Sequence, residues 1–407
     1  MASTDNFVAS PSAPAEFAHL WPLDPEVAFL NHGSFGACPH AVLAAQQHCR
    51  DQMERNPVKF LRRDLEALLD AARQELASFL GADPRRLAFI PNTTTGVNTV
   101  LRSLAFKPGD ELLTTSHIYN ACRNALESAA QRSGATVVVA PVPFPVGSPD
   151  VVFDAVFQKV TPRTRLALLD HVTSLTGLLF PIEGLMHELD RRGIDTLVDG
   201  AHAPGMLPLN VTALGASYYV GNCHKWLCAP KGAAFLHVRA DRQADLRPLA
   251  LSHGANSTRT DRSRFQLEFD WTGTNDPSAW LTVPVAIRSL GSLLPGGWPE
   301  LMARNRTLAL EARELVCREL GLTPPCPDEM VGSLSAILLP EGGGSPIAAP
   351  FAHDPWQATL YGRFKMEVLV TGWPSPPRRL LRFSAHLYNS LPQYLRLARA
   401  LRELLTR

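Results

Sequence analysis

Short apolar runs alternate with helical stretches along most of this chain. Residues 87–91, 111–115, 136–142, 165–171, 195–199, 216–221 and 233–238 read as strands. Apolar residues at helical spacing mark 38–55, 59–80, 94–106, 118–133, 151–160 and 181–192 as helices; in 59–80 the stripe is Leu61, Leu65, Leu68, Leu69, Ala72 and Leu76. Apolar strands separated by amphipathic helices predict an α/β fold with a mostly parallel, seven-stranded sheet sandwiched by helices. Ligands gather at the carboxyl ends of strands in such sheets. Pro/Gly-rich segments punctuate the chain at 141–149, read as a long surface loop, at 294–299 and at 340–350. The second parts a helix near 276–293 from one near 298–320. Strands near 333–339, 366–371 and 379–384 and a closing helix near 391–406 follow. The expected organisation is a mobile tail over 1–16, a large domain over 38–294 and a smaller C-terminal α/β domain over 295–407.

Composition narrows the function classes. The 407 residues are 45% hydrophobic and carry a net charge of +1, which gives no electrostatic footprint for nucleic acid or an anionic membrane. The start of the chain has no charged region followed by an apolar one, and no apolar run spans a bilayer, so a cytoplasmic enzyme is expected. The cysteines number seven, are scattered and form no CxxC pair, which predicts free thiols. Thirteen histidines show no HxH or HExxH pattern, so no metal is expected.

Candidate chemistry lies where apolar runs stop. The run Tyr218-Tyr219-Val220 breaks at Gly221 and leads to Lys225, one of only six lysines. Upstream, Leu197-Val198 ends on Asp199. A lysine able to form a Schiff base and an aspartate able to hold a pyridinium nitrogen are the groups that pyridoxal phosphate (PLP) chemistry needs most. The bland readings are a snorkelling strand-end lysine and a helix-capping aspartate. The other candidate lysine, Lys231, sits in a Pro-Lys-Gly context that reads as an exposed turn. His202 is placed to meet the cofactor's phenolic oxygen. In Pro91-Asn92-Thr93-Thr94-Thr95-Gly96 a strand gives way to a helix, and Thr94 and Thr95 read as a phosphate cradle that Asn222 and His224 also reach. Tyr119 follows another strand and offers a face to stack on the ring. Arg382, a charge inside an apolar strand, suits a substrate carboxylate or an ion pair with an acid of the chain. Arg259, Arg262 and Arg264 lie in a loop that reads as solvated rather than as reaching a distal acid of the substrate.

Together and in this order, these residues resemble the class V aminotransferase family of PLP-dependent fold-type I enzymes. The opening Asn31-His32-Gly33-Ser34, Pro91-Asn92-Thr93-Thr94-Thr95-Gly96, Asp170-His171-Val172-Thr173-Ser174 and His224-Lys225-Trp226-Leu227 are most similar to the isopenicillin N epimerase-like branch. The resemblance implies Lys225 as the Schiff-base lysine, Asp199 under the ring nitrogen with His202 beside it, and Tyr119 over the ring. It places Thr94, Thr95, Asn222 and His224 around the phosphate and Ser174 near the phenolic oxygen. It further implies a homodimer with shared sites, in which Thr274 of Trp271-Thr272-Gly273-Thr274 serves the neighbouring subunit's phosphate. Asn31 and His32 match the segment, here 17–37, that crosses the substrate pocket. One departure matters: cysteine desulfurases of the family carry a persulfide-forming cysteine shortly before the carboxylate-binding arginine, and residues 367–382 contain none.

Every reaction in view begins with Lys225 taking a Cα proton. Epimerisation needs a second acid across the ring, for which Tyr119 and His32 are candidates. β-Elimination needs a leaving group on Cβ; transamination needs the proton returned by the same lysine. The expected activity is epimerase-like processing of an amino-acid-bearing substrate. The alternatives are a C–S β-lyase acting on a cysteine conjugate or its sulfoxide, and a class V aminotransferase. A cofactor-free binding module is disfavoured by the intact Lys225–Asp199 pair.

Overall fold

A computed structural model describes residues 15–340 and 354–406. Most of the 1–16 tail and of the 340–350 segment lies outside the described residues. Twelve strands appear among them: β1 (Ala28–Phe29), β2 (Leu87–Ile90), β3 (Glu111–Thr115), β4 (Thr136–Ala140), β5 (Thr164–Asp170), β6 (Asp195–Asp199), β7 (Tyr218–Asn222), β8 (Ala234–Val238), β9 (Leu334–Leu339), β10 (Met366–Glu367), β11 (Leu369–Gly372) and β12 (Arg379–Ser384).

The seven predicted strands form one sheet in the order β2-β8-β7-β6-β5-β3-β4. All run parallel except β8, which opposes both neighbours. Successive residues face opposite ways, so each strand feeds two cores. Leu113 and Val198 pack with Leu69, Leu76 and Leu185 on one face. Leu112 and Leu197 pack with Val97, Leu101 and Leu126 on the other. Burial on both faces explains why these strands read as continuous apolar runs. A smaller antiparallel sheet, β11-β12-β9, is packed by the Gly297–Leu320 and Leu391–Leu405 helices, and the short β1 pairs with β10.

Four elements differ from expectation. The 59–80 helix opens with a π-helical turn, Phe60–Asp64, that buries Phe60 before Leu65–Leu80 continues. The helix near 276–293 is two pieces, Ser278–Leu281 and Val283–Gly291; Pro284 brings no N–H and restarts the helix after Thr282. The 366–371 strand divides at Val368, β10 pairing with β1 and β11 with β12. The 141–149 loop is anchored: Val142 and Val146 are buried, and the Val146 N–H bonds the Pro325 carbonyl at 2.8 Å. Among the described residues no helix is long and apolar enough to cross a membrane, and all seven cysteines are free.

Candidate active site

The carboxyl ends of β5, β6 and β7 and the N-terminus of the Thr93–Ser103 helix open on one edge of the sheet. Lys225 lies three residues past β7, on a loop that two contacts hold from behind. His32 is buried; its Nδ1 accepts from the Tyr388 hydroxyl at 2.6 Å and its Nε2–H donates to the Lys225 carbonyl at 3.0 Å. Gly36 lies so close to this loop that a Cβ would sit 2.0 Å from the His224 carbonyl, with φ at 72°. Lys231, in an exposed turn as expected, donates to the Gly36 carbonyl at 2.9 Å and straps the segment down.

The Lys225 amine itself meets His202 Nε2 at 3.1 Å. Burial, reinforced by the Arg382 charge and opposed by Asp199, lowers its pKa from 10.5 to about 7. Such an amine is substantially neutral, and therefore nucleophilic, near neutral pH.

Asp199 closes β6; its carboxylate accepts the Ala201 N–H at 3.0 Å and the Cys122 thiol at 3.1 Å. Asp170 stands directly beside it in register on β5. Burial and the Asp199 charge push the Asp170 carboxyl far up, so one of the two neighbours keeps its proton.

Asn92 caps the Thr93–Ser103 helix through the Thr95 N–H at 2.8 Å and also accepts the Thr95 hydroxyl at 3.1 Å. Thr94 has no hydrogen bond from its N–H or hydroxyl to the described residues and stays available at the positive end of this helix. Asn222 holds Thr93: its amide oxygen accepts the Thr93 N–H at 3.1 Å and its Nδ2 donates one hydrogen to the Thr93 hydroxyl at 3.3 Å, clamping β7 to the helix. His224 donates Nδ1–H to the Ala233 carbonyl at 3.0 Å, and burial brings its pKa down to about 4.

Arg382 is 2% exposed. It donates to the Ser174 carbonyl, to the Ser34 hydroxyl at 2.7 Å and to the Asn31 side-chain oxygen at 3.3 Å, while its Nε has no partner. No carboxylate of the described residues pairs with it. Burial lowers its pKa to about 10. The ion-pair reading of Arg382 therefore falls, and a buried cation among neutral acceptors remains. Tyr119 is 43% exposed. Burial, with Cys122 and Asp199 beside it, raises its phenol pKa, and Arg382 opposes that rise. Thr274 is exposed, and no hydrogen bond ties it to the Lys225 cluster of its own chain.

The loop arginines are spent on the chain's own acids. Arg259 pairs with Glu66 and Asp261, Arg262 with Asp70 and Asp270, and Arg264 with Glu268. Among the described residues one His/Cys group, His32, Cys228 and His386, brings ligand-type atoms together. The two imidazoles are stacked, 4.4 Å apart and 21° from parallel, so their in-plane lone pairs do not converge, and both His32 nitrogens are occupied. The group is a packing cluster behind the lysine loop.

The model for aminotransferase class-V matches residues 30–292. The chain belongs to this family. It is 39% identical to isopenicillin N epimerase of Amycolatopsis lactamdurans over 94% of this chain and 96% of that protein. It is also 29% identical to a probable chloroplastic L-cysteine desulfhydrase of Arabidopsis thaliana, over 98% and 86%. A solved structure of a C-DES mutant with glycine covalently linked to its PLP cofactor superposes with a TM-score of 0.77 at 22% identity, over 95% of this chain and 99% of that one, a likeness of fold.

As a class-V enzyme the chain uses PLP, and the site suits that group: an amine of lowered pKa, a strand-end aspartate, a helix N-terminus and an arginine with no carboxylate partner among the described residues lie at the same edge of the sheet. Sequence reasoning gave no individual role to Thr93, Asp170, Ser34 or Trp226, which stand only within the family motifs, and none to Cys122. Thr93 was within reach, since Asn92 is a stronger cap than the threonines after it. Trp226 gave no signal beyond that of a core residue.

Proposed function

We propose that this class-V enzyme inverts configuration at the Cα of an amino acid or amino-acid-bearing substrate, as an isopenicillin N epimerase does. The observation that carries this reading is a supply of proton carriers of opposite kind beside Arg382 and Asp199: an amine with pKa about 7 and a phenol held protonated. The 39% identity to an epimerase over nearly both full lengths supports it.

Bound PLP supplies the electron sink for the pair left at Cα. Arg382 binds the substrate carboxylate in place of the missing anion and so fixes which way Cα–H points. Lys225 takes that proton on Nζ, and Tyr119 delivers its phenolic proton to the opposite face of Cα. Solvent then carries the proton from Lys225 to the tyrosinate, which restores both groups. Asp199 would hold the PLP ring nitrogen, and Thr94 and His224 would face its phosphate, whereas the Thr95 N–H and hydroxyl both serve Asn92. His224 already uses Nδ1–H on Ala233, so it donates to phosphate only by gaining a proton at Nε2. His32, with both nitrogens occupied and its pKa lowered to about 3, positions the Lys225 backbone and is not the second acid.

The working unit is proposed to be a cytoplasmic homodimer. Exposed Phe35, Val58 and Leu251, and a Thr274 that is exposed in its own chain, are compatible with a partner surface. Mixing Lys225→Ala with Thr274→Ala chains tests shared sites. Random re-pairing is expected to restore about a quarter of wild-type turnover; no recovery refutes sharing.

The reaction itself is tested on holoenzyme in D2O. Deuterium entering Cα with inversion and no keto acid supports epimerisation. Pyruvate released from S-substituted cysteines, with no inversion, makes the enzyme a C–S lyase like its desulfhydrase relatives. Dependence on an added keto acid makes it an aminotransferase.

A further inference from the structure

Trp226 follows the reactive lysine, is fully buried, and has no part in the chemistry above. Its ring packs against His32 at 4.8 Å and His386 at 6.3 Å. Its backbone lies against Gly205, where φ is 84° and a Cβ would come within 2.5 Å of the Trp226 carbonyl group. So held, the indole N–H points at His202 Nδ1, 3.3 Å away, while His202 Nε2 faces the Lys225 amine at 3.1 Å.

Donor logic then fixes every proton in the chain of contacts. An indole N–H only donates, so His202 Nδ1 accepts and carries no hydrogen. A neutral imidazole must therefore carry its proton on Nε2. The imidazolium is excluded because it sets two donors against each other at Nδ1. Burial beside Lys225 and Arg382, with His32 and His224 also near, opposes that second charge as well. The Nε2–H in turn needs an acceptor, and the group in reach is the Lys225 amine, which accepts only when it has a lone pair.

We propose that Trp226 is a positioning residue that fixes the His202 proton on Nε2 and thereby holds Lys225 as a neutral amine, ready for the cofactor aldehyde. The same Nε2–H is the hydrogen required to donate to an anionic oxygen on the cofactor ring; the other tautomer would present a lone pair and repel it. Asp199 and Cys122 act on the amine in the opposite sense, each favouring its charged form. The inference holds whichever reaction follows, because it concerns the cofactor-free protein.

Two measurements test it. In cofactor-free wild type with 15N-labelled histidine, the His202 signals, assigned with His202→Gln, are expected to show a pyrrole-type Nε2 and a pyridine-type Nδ1. A proton on Nδ1, or on both nitrogens, of wild-type His202 overturns the proposal. In Trp226→Phe, which keeps an aromatic ring but loses the donor, the histidine is expected to populate the Nδ1–H form and accept from a lysine ammonium. The pH midpoint for borohydride-trapped PLP on Lys225 then rises by about one unit or more. A raised midpoint with the wild-type tautomer would mean only looser packing, and would count against Trp226 as the determinant. Neither readout depends on turnover, so failure of the epimerase reading leaves this one standing, and the reverse.

Discussion

Arg379 and Arg382 stand three residues apart on β12, each 2% exposed, and have opposite surroundings. Arg379 meets Asp354, itself buried, at 2.8 Å and lies over the Trp356 ring at 4.7 Å. Arg382 meets a carbonyl, a hydroxyl and an amide oxygen. An odd separation on a strand points the two side chains to opposite faces. The first is matched within the chain and is scaffold. The second keeps a charge that no carboxylate of the described residues neutralises, a costly state unless an anion arrives from outside.

The largest effect should come from Arg382→Leu. Steady-state kinetics on holoenzyme should show kcat/KM falling roughly 100- to 1,000-fold, because a buried, hydrogen-bonded charge contact to the substrate is lost. Its Tm should change far less than that of Arg379→Leu. The latter leaves Asp354 buried without its cation and should lower unfolding free energy by about 3–5 kcal/mol in urea titrations. Folded Arg379→Leu should still turn over near the wild-type rate. Equal kinetic losses in both variants would erase the distinction drawn here.

A titration sharpens it. Capture of PLP by the cofactor-free protein, read by borohydride trapping, should rise through about pH 7 and level off above, following the neutral Lys225 amine. In Arg382→Leu the midpoint should move up, since the neighbouring cation that lowers it is gone. The sign for stability follows from the same shift. Between pH 7 and 10.5 the unfolded lysine binds a proton that the folded one has released, so this group's contribution to stability grows as pH rises through that window. The smallest effect is expected for Arg259→Ala. It breaks exposed pairs with Glu66 and Asp261 and should leave both Tm and KM within error. A rise in KM there would mean that the loop does reach the substrate.

What could be read beforehand follows the length scale of each signal. The seven sheet strands were legible because burial on both faces writes them as apolar runs, and Lys225 and Asp199 were legible as polar residues ending such runs. Strands β1 and β10, of two residues each, are too short for any period to register. The Phe60–Asp64 turn keeps helical spacing in sequence and differs only in its hydrogen bonds. Asn222 shows a different limit: its residue type fits a phosphate ligand, but its clamp on Thr93, a partner 129 positions away, leaves it one amide N–H to offer. Arg382 could be singled out as a buried cation, yet only the spatial arrangement tells whether an aspartate of the chain stands opposite, as one does for Arg379.

The division of labour on β12 also bears on how such an enzyme changes over generations. Selection for a different substrate can act at position 382 with less risk of a folding defect, because no carboxylate of the described residues was relying on that guanidinium. Position 379 has no such freedom: drift there requires a simultaneous change at 354. Laboratory evolution toward substrates lacking a carboxylate should accordingly find its first accepted replacements at 382, and almost none at 379.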